Sequence, residues 1–181
     1  MTKEMYKRFE SILLLLSGLL ILNGCRLSGE TNHTPEIRIS NGLIHDTTVV
    51  NVYYSVNAGY YQTDSVYVGD SISFSFLFYS YENHLLTCDI KTDTALAYMR
   101  FASAEHLDSV FLKNKSNYEQ GHFVLPDRSY SLAQIYGVYI PRKASGESFI
   151  DLGVTSDSKF SIRTMRVKIP AVDTTSVSSS E

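Results

Sequence analysis

The segment Ile72–Tyr79 constrains the fold of this chain more than any other, because large apolar residues occupy every second position in it. These residues share one parity along the chain: Ile72, Phe74, Phe76 and Phe78. Side chains of one parity lie on one face of a β-strand, so the pattern predicts a strand with a buried face. The opposite face begins with two serines and is expected to meet solvent.

Further strands are predicted by shorter patterns of the same kind. A second apolar face is formed by Val50, Val52, Tyr54 and Val56, and the turn signal Asn57-Ala58-Gly59 follows it directly. Weaker strand patterns cover residues 36–40, 96–102, 134–140, 149–154 and 160–169. The last of these changes parity between Ile162 and Met165, so we expect a β-bulge near Arg163 or Thr164.

Helical periodicity is limited to residues 103–112, which predict one short surface helix or 3₁₀ turn with Leu107, Val110 and Phe111 on its buried side. About seven strands without alternating long helices predict an all-β protein, an antiparallel β-sandwich with at most one short helix. The hydrophobic fraction of 44% is sufficient for a real core. A net charge of −3 gives no basic patch, so no nucleic-acid partner is expected.

The beginning of the chain has the order of a secretory signal. A basic front precedes an apolar run at residues 12–22, and Gly24 stands directly before Cys25. About eleven residues at ~1.5 Å each are too few to span a ~30 Å hydrocarbon layer as a helix. The run is therefore expected to be a signal and not a transmembrane segment.

The sequence Leu22-Asn23-Gly24-Cys25 resembles the lipobox of bacterial lipoproteins. The resemblance implies that residues 1–24 are a signal peptide and that Cys25 becomes the acylated first residue of the mature chain. Two or three acyl chains hold a protein stably on a membrane, so Cys25 is expected to attach it to the cell envelope, with the outer membrane as the expected location. Residues 25–35 are polar and would form the lipidated tether.

The remaining residues divide into one folded unit and a tail. Residues 36–170 have the size of one domain, and residues 171–181 are expected to be a disordered tail because most of them are polar. If Cys25 is lipidated, Cys88 has no partner for a disulfide. Its neighbours Leu85, Leu86 and Ile90 are apolar, so we expect a buried, unreactive thiol.

Three segments resemble the small Ig-like lipoproteins of Bacteroidetes, a domain family of unknown function: Val68-Gly69-Asp70-Ser71, residues 121–126 and residues 160–169. The first is similar to the Gly-Asp entry to an early strand of bacterial Ig-like modules. The other two are similar to the last part of these lipoproteins. The resemblance implies an Ig-like sandwich over residues 36–170, and it implies no activity.

An Asp followed by Ser or Thr, and then by Thr or an apolar residue, occurs six times. The triplet resembles the O-glycosylation acceptor motif of exported Bacteroidetes proteins, which implies acceptor hydroxyls at Thr47, Ser65, Thr94, Ser109 and Thr174. The sixth triplet contains Ser71, which opens the strongest strand and is expected to be structural. A second explanation is that Asp-Ser and Asp-Thr form side-chain turns ahead of strands, which enriches the same triplet.

Two tyrosine pairs flank the predicted turn, and they are candidates for stacking on a ligand: Tyr53, Tyr54, Tyr60 and Tyr61. Adjacent residues of a strand point to opposite faces, so one tyrosine of each pair is expected to be buried and the other exposed. An exposed ring could stack on a sugar or contact a protein partner. The alternative is cross-strand pairing that only stabilises the hairpin.

Catalytic motifs are absent from the sequence, and the one compact set of ligand-type atoms is His84 with Cys88. In a strand these two side chains would lie about 13 Å apart, which is too far for shared ligation. We therefore expect a lipid-anchored, non-catalytic binding or adhesion module with a protein or glycan ligand and no cofactor. The alternatives are a structural subunit of an envelope or outer-membrane assembly and, third, a metal- or thiol-dependent enzyme.

Overall fold

A computed structural model of the chain describes residues 33–45 and 47–173, and the period-two patterns of this part form short β-strands. In chain order the strands are β1 (Glu36–Ile39), β2 (Gly42–Ile44), β3 (Thr48–Val50), β4 (Val52–Ser55), β5 (Tyr60–Thr63), β6 (Val66–Tyr67), β7 (Ile72–Tyr79), β8 (Leu85–Thr92), β9 (Ala97–Phe101), β10 (His122–Val124), β11 (Leu132–Pro141), β12 (Phe149–Ser156), β13 (Ile162–Lys168) and β14 (Ala171–Val172). The helical elements are α1 (Ala104–Leu107) and a 3₁₀-helix (Tyr118–Gln120).

The strands form two main sheets and one small pair. The first sheet has the order β3-β2-β7-β11-β9, with β1 also paired to β7, and the second has the order β10-β8-β12-β13-β5-β4. Within the two sheets, the strand orders β1-β7-β11-β9 and β8-β12-β13 correspond to the ABED and CFG strand orders of an immunoglobulin domain. The predicted all-β, Ig-like sandwich is therefore confirmed. Parallel pairing occurs at β5–β13 and β6–β14, and short strands raise the number above the seven expected.

The core lies between the inner faces of the two sheets, and β7 supplies its central row. All four apolar side chains predicted for this row are buried: Ile72, Phe74, Phe76 and Phe78. The intervening residues of β7 are half-buried, as the alternation predicts. Every buried side-chain nitrogen or oxygen of the described residues has a hydrogen-bond partner, so this core carries no desolvation penalty from unpaired groups.

A β-bulge is present, but on β8 and not near Arg163 or Thr164 as predicted. Thr155 lies opposite Thr87 and Ser156 opposite Leu85, so Leu86 is the extra residue of the bulge. In contrast, β13 pairs with β12 without a shift of register. The parity change in β13 arises because Ile162 lies on the outer face, where 65% of it is exposed.

The predicted second face, which was to include Val50 and Val56, is divided between the two sheets. The chain leaves β3 in the first sheet at Val50 and enters β4 in the second sheet after Asn51. Asp64 holds this crossing, since its carboxylate accepts hydrogen bonds from the backbone and side-chain nitrogens of Asn51 at 3.1 and 2.9 Å. Val50 is buried whereas Val56 is 82% exposed, so the prediction of one shared face is wrong.

The folded region extends beyond both of its predicted ends. Ala171 and Val172 form β14 and pair with β6, so the tail expected from residue 171 does not begin there. Their backbone groups form hydrogen bonds with the edge of β6. This pairing makes the two residues part of the fold, although the residues that follow them are mostly polar. At the other end Pro35 is buried, and the Ser158 hydroxyl donates to the carbonyl of His33 at 2.8 Å. Residues 25–32 and 174–181 lie outside the described part.

Candidate functional site

An aromatic cleft lies where the second sheet extends beyond the first. At this end β1 is the outermost strand of the first sheet, while the second sheet continues from β13 to β5 and β4. The cleft has a volume of about 550 Å³, within the ~300–1,000 Å³ typical of ligand sites. Its walls include four tyrosines and three charged side chains: Tyr54, Tyr60, Tyr61, Tyr81, Glu36, Arg163 and Arg166.

One wall of the aromatic cleft is formed by Tyr54 and Tyr61 of the β4–β5 hairpin. These residues lie opposite each other, with ring centroids 5.2 Å apart and an edge-on interplanar angle of 64°. Tyr61 is also the register partner of Val167, a buried residue of β13. Tyr54 remains 53% exposed, although its partner Tyr61 packs against the core.

The other two candidate tyrosines have different surroundings. Tyr53 lies in register with Gln62, whose side-chain amide donates to the Tyr53 hydroxyl at 3.1 Å, and it does not line the aromatic cleft. Tyr60 lines the cleft and packs edge-on against Phe149, with ring centroids 6.0 Å apart. All four candidate tyrosines are exposed or half-buried, so the expectation of one buried tyrosine in each pair is wrong.

The opposite wall is formed by Tyr81 and Glu36. The Tyr81 hydroxyl donates to Glu36 Oε2 at 3.0 Å, and Arg38 Nε donates to Glu36 Oε1 at 2.9 Å. The bond from Arg38, followed by the bond from Tyr81, lowers the pKa of Glu36, which is therefore a carboxylate at neutral pH. The hydrogen bond to Glu36 raises the pKa of Tyr81.

Tyr81 adopts a backbone conformation that large side chains rarely take. Its φ is 58°, in the left-handed region, which costs about 1–2 kcal/mol for a residue with a Cβ. Rings on two sides hold it there, Tyr79 at 4.6 Å and His33 at 5.2 Å between centroids. Tyr81 lies in the turn between β7 and β8, and these ring contacts fix the position of its side chain at the cleft.

Arg163 supplies an unpaired positive charge at the aromatic cleft. Its side chain is exposed and forms neither a close ion pair nor a hydrogen bond within the described part of the chain, although its charge contributes to the lowered pKa of Glu36. Arg166, which also lines the cleft, is engaged by Asp151 through two bonds of 2.6 and 2.9 Å. The arrangement can therefore offer aromatic rings and one free guanidinium to a bound molecule.

His84 and Cys88 do not form a common site. His84 Nδ1 lies 2.9 Å from Asp157 Oδ2, and the backbone nitrogen of His84 donates to the same carboxylate at 2.7 Å. Cys88 faces the core and has no exposed surface. Among the described residues no three His, Cys, Asp or Glu side chains are placed to hold a metal ion.

We predict that a thiol reagent labels Cys88 at least about a hundredfold more slowly in the native protein than in urea. Burial is the main cause that raises the pKa of this thiol, with Asp89 adding to it, so the reactive thiolate is disfavoured. Labelling then requires local opening, which costs a few kcal/mol in a core strand. Mass spectrometry of timed samples measures the rate, with Cys88→Ala as the blank. Rapid labelling of the native protein would show that the thiol is accessible.

His122 belongs to a charged cluster that the sequence did not reveal. Its Nδ1 lies 2.9 Å from Asp89 Oδ1, and the same oxygen is 3.2 Å from Lys91 Nζ. His122 and Asp89 are 33 positions apart in the sequence, and the pairing of β10 with β8 brings them together. A cluster of this kind on an outer sheet face is a solvated ion network and contributes little stability.

The implied glycosylation acceptors of the described part all lie on the surface. They are exposed at Thr47, Ser65, Thr94 and Ser109, and the Ser109 hydroxyl donates to the carbonyl of His106 at 2.6 Å. Asp70 accepts a bond from the nitrogen of Tyr67, and Asp93 one from that of Ala95, as turn formation would require. Both explanations of the triplet therefore remain open. Thr174 and Cys25 lie outside the described residues.

A second surface feature is the free edge of β9. This strand ends the first sheet, since β11 is its one partner among the described strands. Beside it lies a groove of about 530 Å³ whose walls include Tyr98, Met99, Phe101 and Tyr118. An unpaired edge with an adjoining apolar groove is a place where an extended segment can add to a sheet.

Comparison with known proteins does not extend this description. A scan against protein-family models gave no match, and a search of the curated proteins gave none. Within the described residues, no helix has the length and apolar character needed to cross a membrane.

Proposed function

We propose that the protein is a lipid-anchored, non-catalytic module of the cell envelope, located at the outer membrane, that binds a glycan or protein ligand in the aromatic cleft. The observation that carries this proposal is the exposed wall formed by Tyr54 and Tyr61. A tyrosine ring offers an apolar face with a polar hydroxyl, which suits contact with a sugar or a protein surface. Tyr54 is 53% exposed, Tyr61 is half-buried beside it, and the exposed Arg163 lines the same cleft.

The position of the aromatic cleft fits an anchored binding module. Thr34 and Pro35 line it, so it lies at the end of the domain where the tether enters. Seven residues lie between Cys25 and His33, so eight steps along the chain separate them, and an extended chain covers at most about 3.6 Å per step. If Cys25 is acylated, the start of the described chain stands within about 29 Å of the membrane surface.

The chemistry of the aromatic cleft supports binding and not catalysis. A general acid or base works best with a pKa near the ambient pH. The pKa of Glu36 is lowered and that of Tyr81 is raised, so both move away from neutrality. Glu36 is also occupied by two hydrogen bonds within the protein.

We predict that the double variant Tyr54→Ala, Tyr61→Ala captures at least tenfold less ligand from extracts of native envelopes than the unchanged chain. Stacking on an aromatic ring contributes ~1 kcal/mol or more, so two rings give about this factor. The chain is immobilised, and bound glycans and proteins are quantified by mass spectrometry. Tyr136→Ala is the matched control, because Tyr136 is exposed on the first sheet and does not line the aromatic cleft. Equal capture by the double variant and the control would contradict the proposal.

A second candidate function is a structural subunit of an envelope or outer-membrane assembly, and the free edge of β9 favours it. The partner would add a strand beside Ala97–Phe101 and place apolar side chains in the adjoining groove. Two variants, each with a photo-crosslinking residue, distinguish the two functions in the same extracts. One replaces Arg100 on the edge of β9, and the other replaces Thr164 in the aromatic cleft. One partner captured in stoichiometric amount from position 100 alone would favour the structural subunit.

A further inference from the structure

Five polar groups of the aromatic cleft have no hydrogen-bond partner within the described part of the chain. They are the hydroxyl groups of Thr34, Tyr54, Tyr61 and Thr164 and the guanidinium group of Arg163. Polar groups elsewhere around the cleft are already engaged, for example the Glu36 carboxylate with Arg38 and the Arg166 guanidinium with Asp151. The groups without a hydrogen-bond partner are therefore four hydroxyl groups and one cation, and a complementary ligand must offer partners for them.

The charge balance at the aromatic cleft favours an anion. Arg38 and Arg163 both act on the Glu36 carboxylate, and Arg166 is paired with Asp151, so three guanidinium groups around two carboxylates leave one net positive charge at the cleft. A guanidinium presents its donors in a planar fork that matches a carboxylate or a phosphate group. An anionic group on the ligand would therefore be bound by Arg163.

The tyrosine wall favours a sugar ring. Tyr54 and Tyr61 meet edge-on at 64°, which forms an angled corner and not a pair of parallel plates. A saccharide has apolar C–H faces that pack on such rings and hydroxyl groups that reach the free hydroxyls of Tyr54, Tyr61 and Thr164. These contacts would satisfy the unengaged polar groups and cover the exposed ring surface at once.

We infer that the aromatic cleft recognises a saccharide that carries an anionic group, with Arg163 on the anion and Tyr54 and Tyr61 on the sugar ring. This inference rests on the proposed function and names its ligand class. Arg163 is then the residue that distinguishes an anionic from a neutral sugar. A carboxylated sugar and a phosphorylated sugar share the required chemistry.

Three disaccharides that differ at one position test the inference. One ends in glucose, one in glucuronate and one in glucose 6-phosphate, and their dissociation constants for the purified mature chain in detergent are measured by calorimetry. At least one anionic disaccharide is expected to bind tenfold or more tightly than the neutral one, and which of them does so identifies the anion. Higher salt concentration should reduce this preference.

Variants assign the preference to individual residues. Arg163→Gln should remove the preference for the anionic sugar, and Arg163→Lys should restore part of it. Tyr54→Ala should weaken binding of all three sugars. Arg100→Gln is the matched control, because Arg100 is exposed on β9 and likewise forms no ion pair in the described residues. Because Arg163 is exposed, its replacement should leave the fold intact.

Equal binding of neutral and anionic sugars, or a preference that survives Arg163→Gln, would overturn the inference. Absence of binding by all three disaccharides would overturn it as well. If envelope material is still captured in a manner that depends on Tyr54 and Tyr61, only the ligand class is wrong. If that capture is also independent of the two tyrosines, the proposed function is wrong too.

Discussion

Replacing Phe76 with alanine is expected to lower the free energy of unfolding by about 3–5 kcal/mol, a large part of the ~5–15 kcal/mol available to a typical domain. Phe76 has no exposed surface and lies in the middle of β7, between its register partners Ile39 of β1 and Ile135 of β11. Truncation would leave a cavity shared by three strands of the first sheet. Such a cavity cannot collapse without moving hydrogen-bonded backbone.

Urea denaturation of the chain, followed by circular dichroism, measures this loss. The control is Ser75→Ala, one position along the same strand on the opposite face. The Ser75 hydroxyl accepts one hydrogen bond, from the Gln134 amide at 2.8 Å, so its removal should cost about 1 kcal/mol or less. Equal losses from the two variants would contradict the parity assigned to β7.

The strands that could be predicted are those whose burial alternates without interruption. In β7 and β12 each inner residue is followed by an outer one, so sequence period and structure agree. The strand β8 was not predicted, because its bulge at Leu86 changes the parity between Leu85 and Cys88 and removes the period-two signal. The crossing at Asn51 was missed for a related reason, since a change of sheet inside an apolar run leaves no mark on composition.

The aromatic cleft could be predicted only in part. The tyrosine pairs attracted attention because they flank a turn, and three of the four line the cleft. Glu36 and Tyr81 could not be joined to them, because 45 residues separate this hydrogen-bonded pair. Arg163 carries no distinguishing pattern, and its importance follows from the absence of a carboxylate partner in the described structure. Which face of a sheet remains uncovered depends on where the other sheet ends, and this is a property of the whole fold.

Replacing Cys25 with alanine is expected to abolish membrane attachment or to block processing of the chain. Each buried methylene of an acyl chain contributes about 0.8 kcal/mol, so two or three chains would hold a protein stably, and the proposed attachment of the diacylglycerol is at the Cys25 thiol. No helix of the described residues could replace this anchor. Fractionation of membranes, together with mass spectrometry of the amino-terminal peptide of the mature chain, measures the effect.

The matched control for Cys25→Ala is Cys88→Ala, which removes the other thiol. Cys88 lies in the core, so its loss should reduce stability modestly and leave acylation unchanged. An unmodified amino terminus in the unchanged chain, or full retention of Cys25→Ala on washed membranes, would remove the lipid anchor from the proposal. The tether distance of about 29 Å would then no longer limit where the aromatic cleft can meet its ligand. The cleft experiments do not depend on the anchor, so binding and attachment can be decided separately.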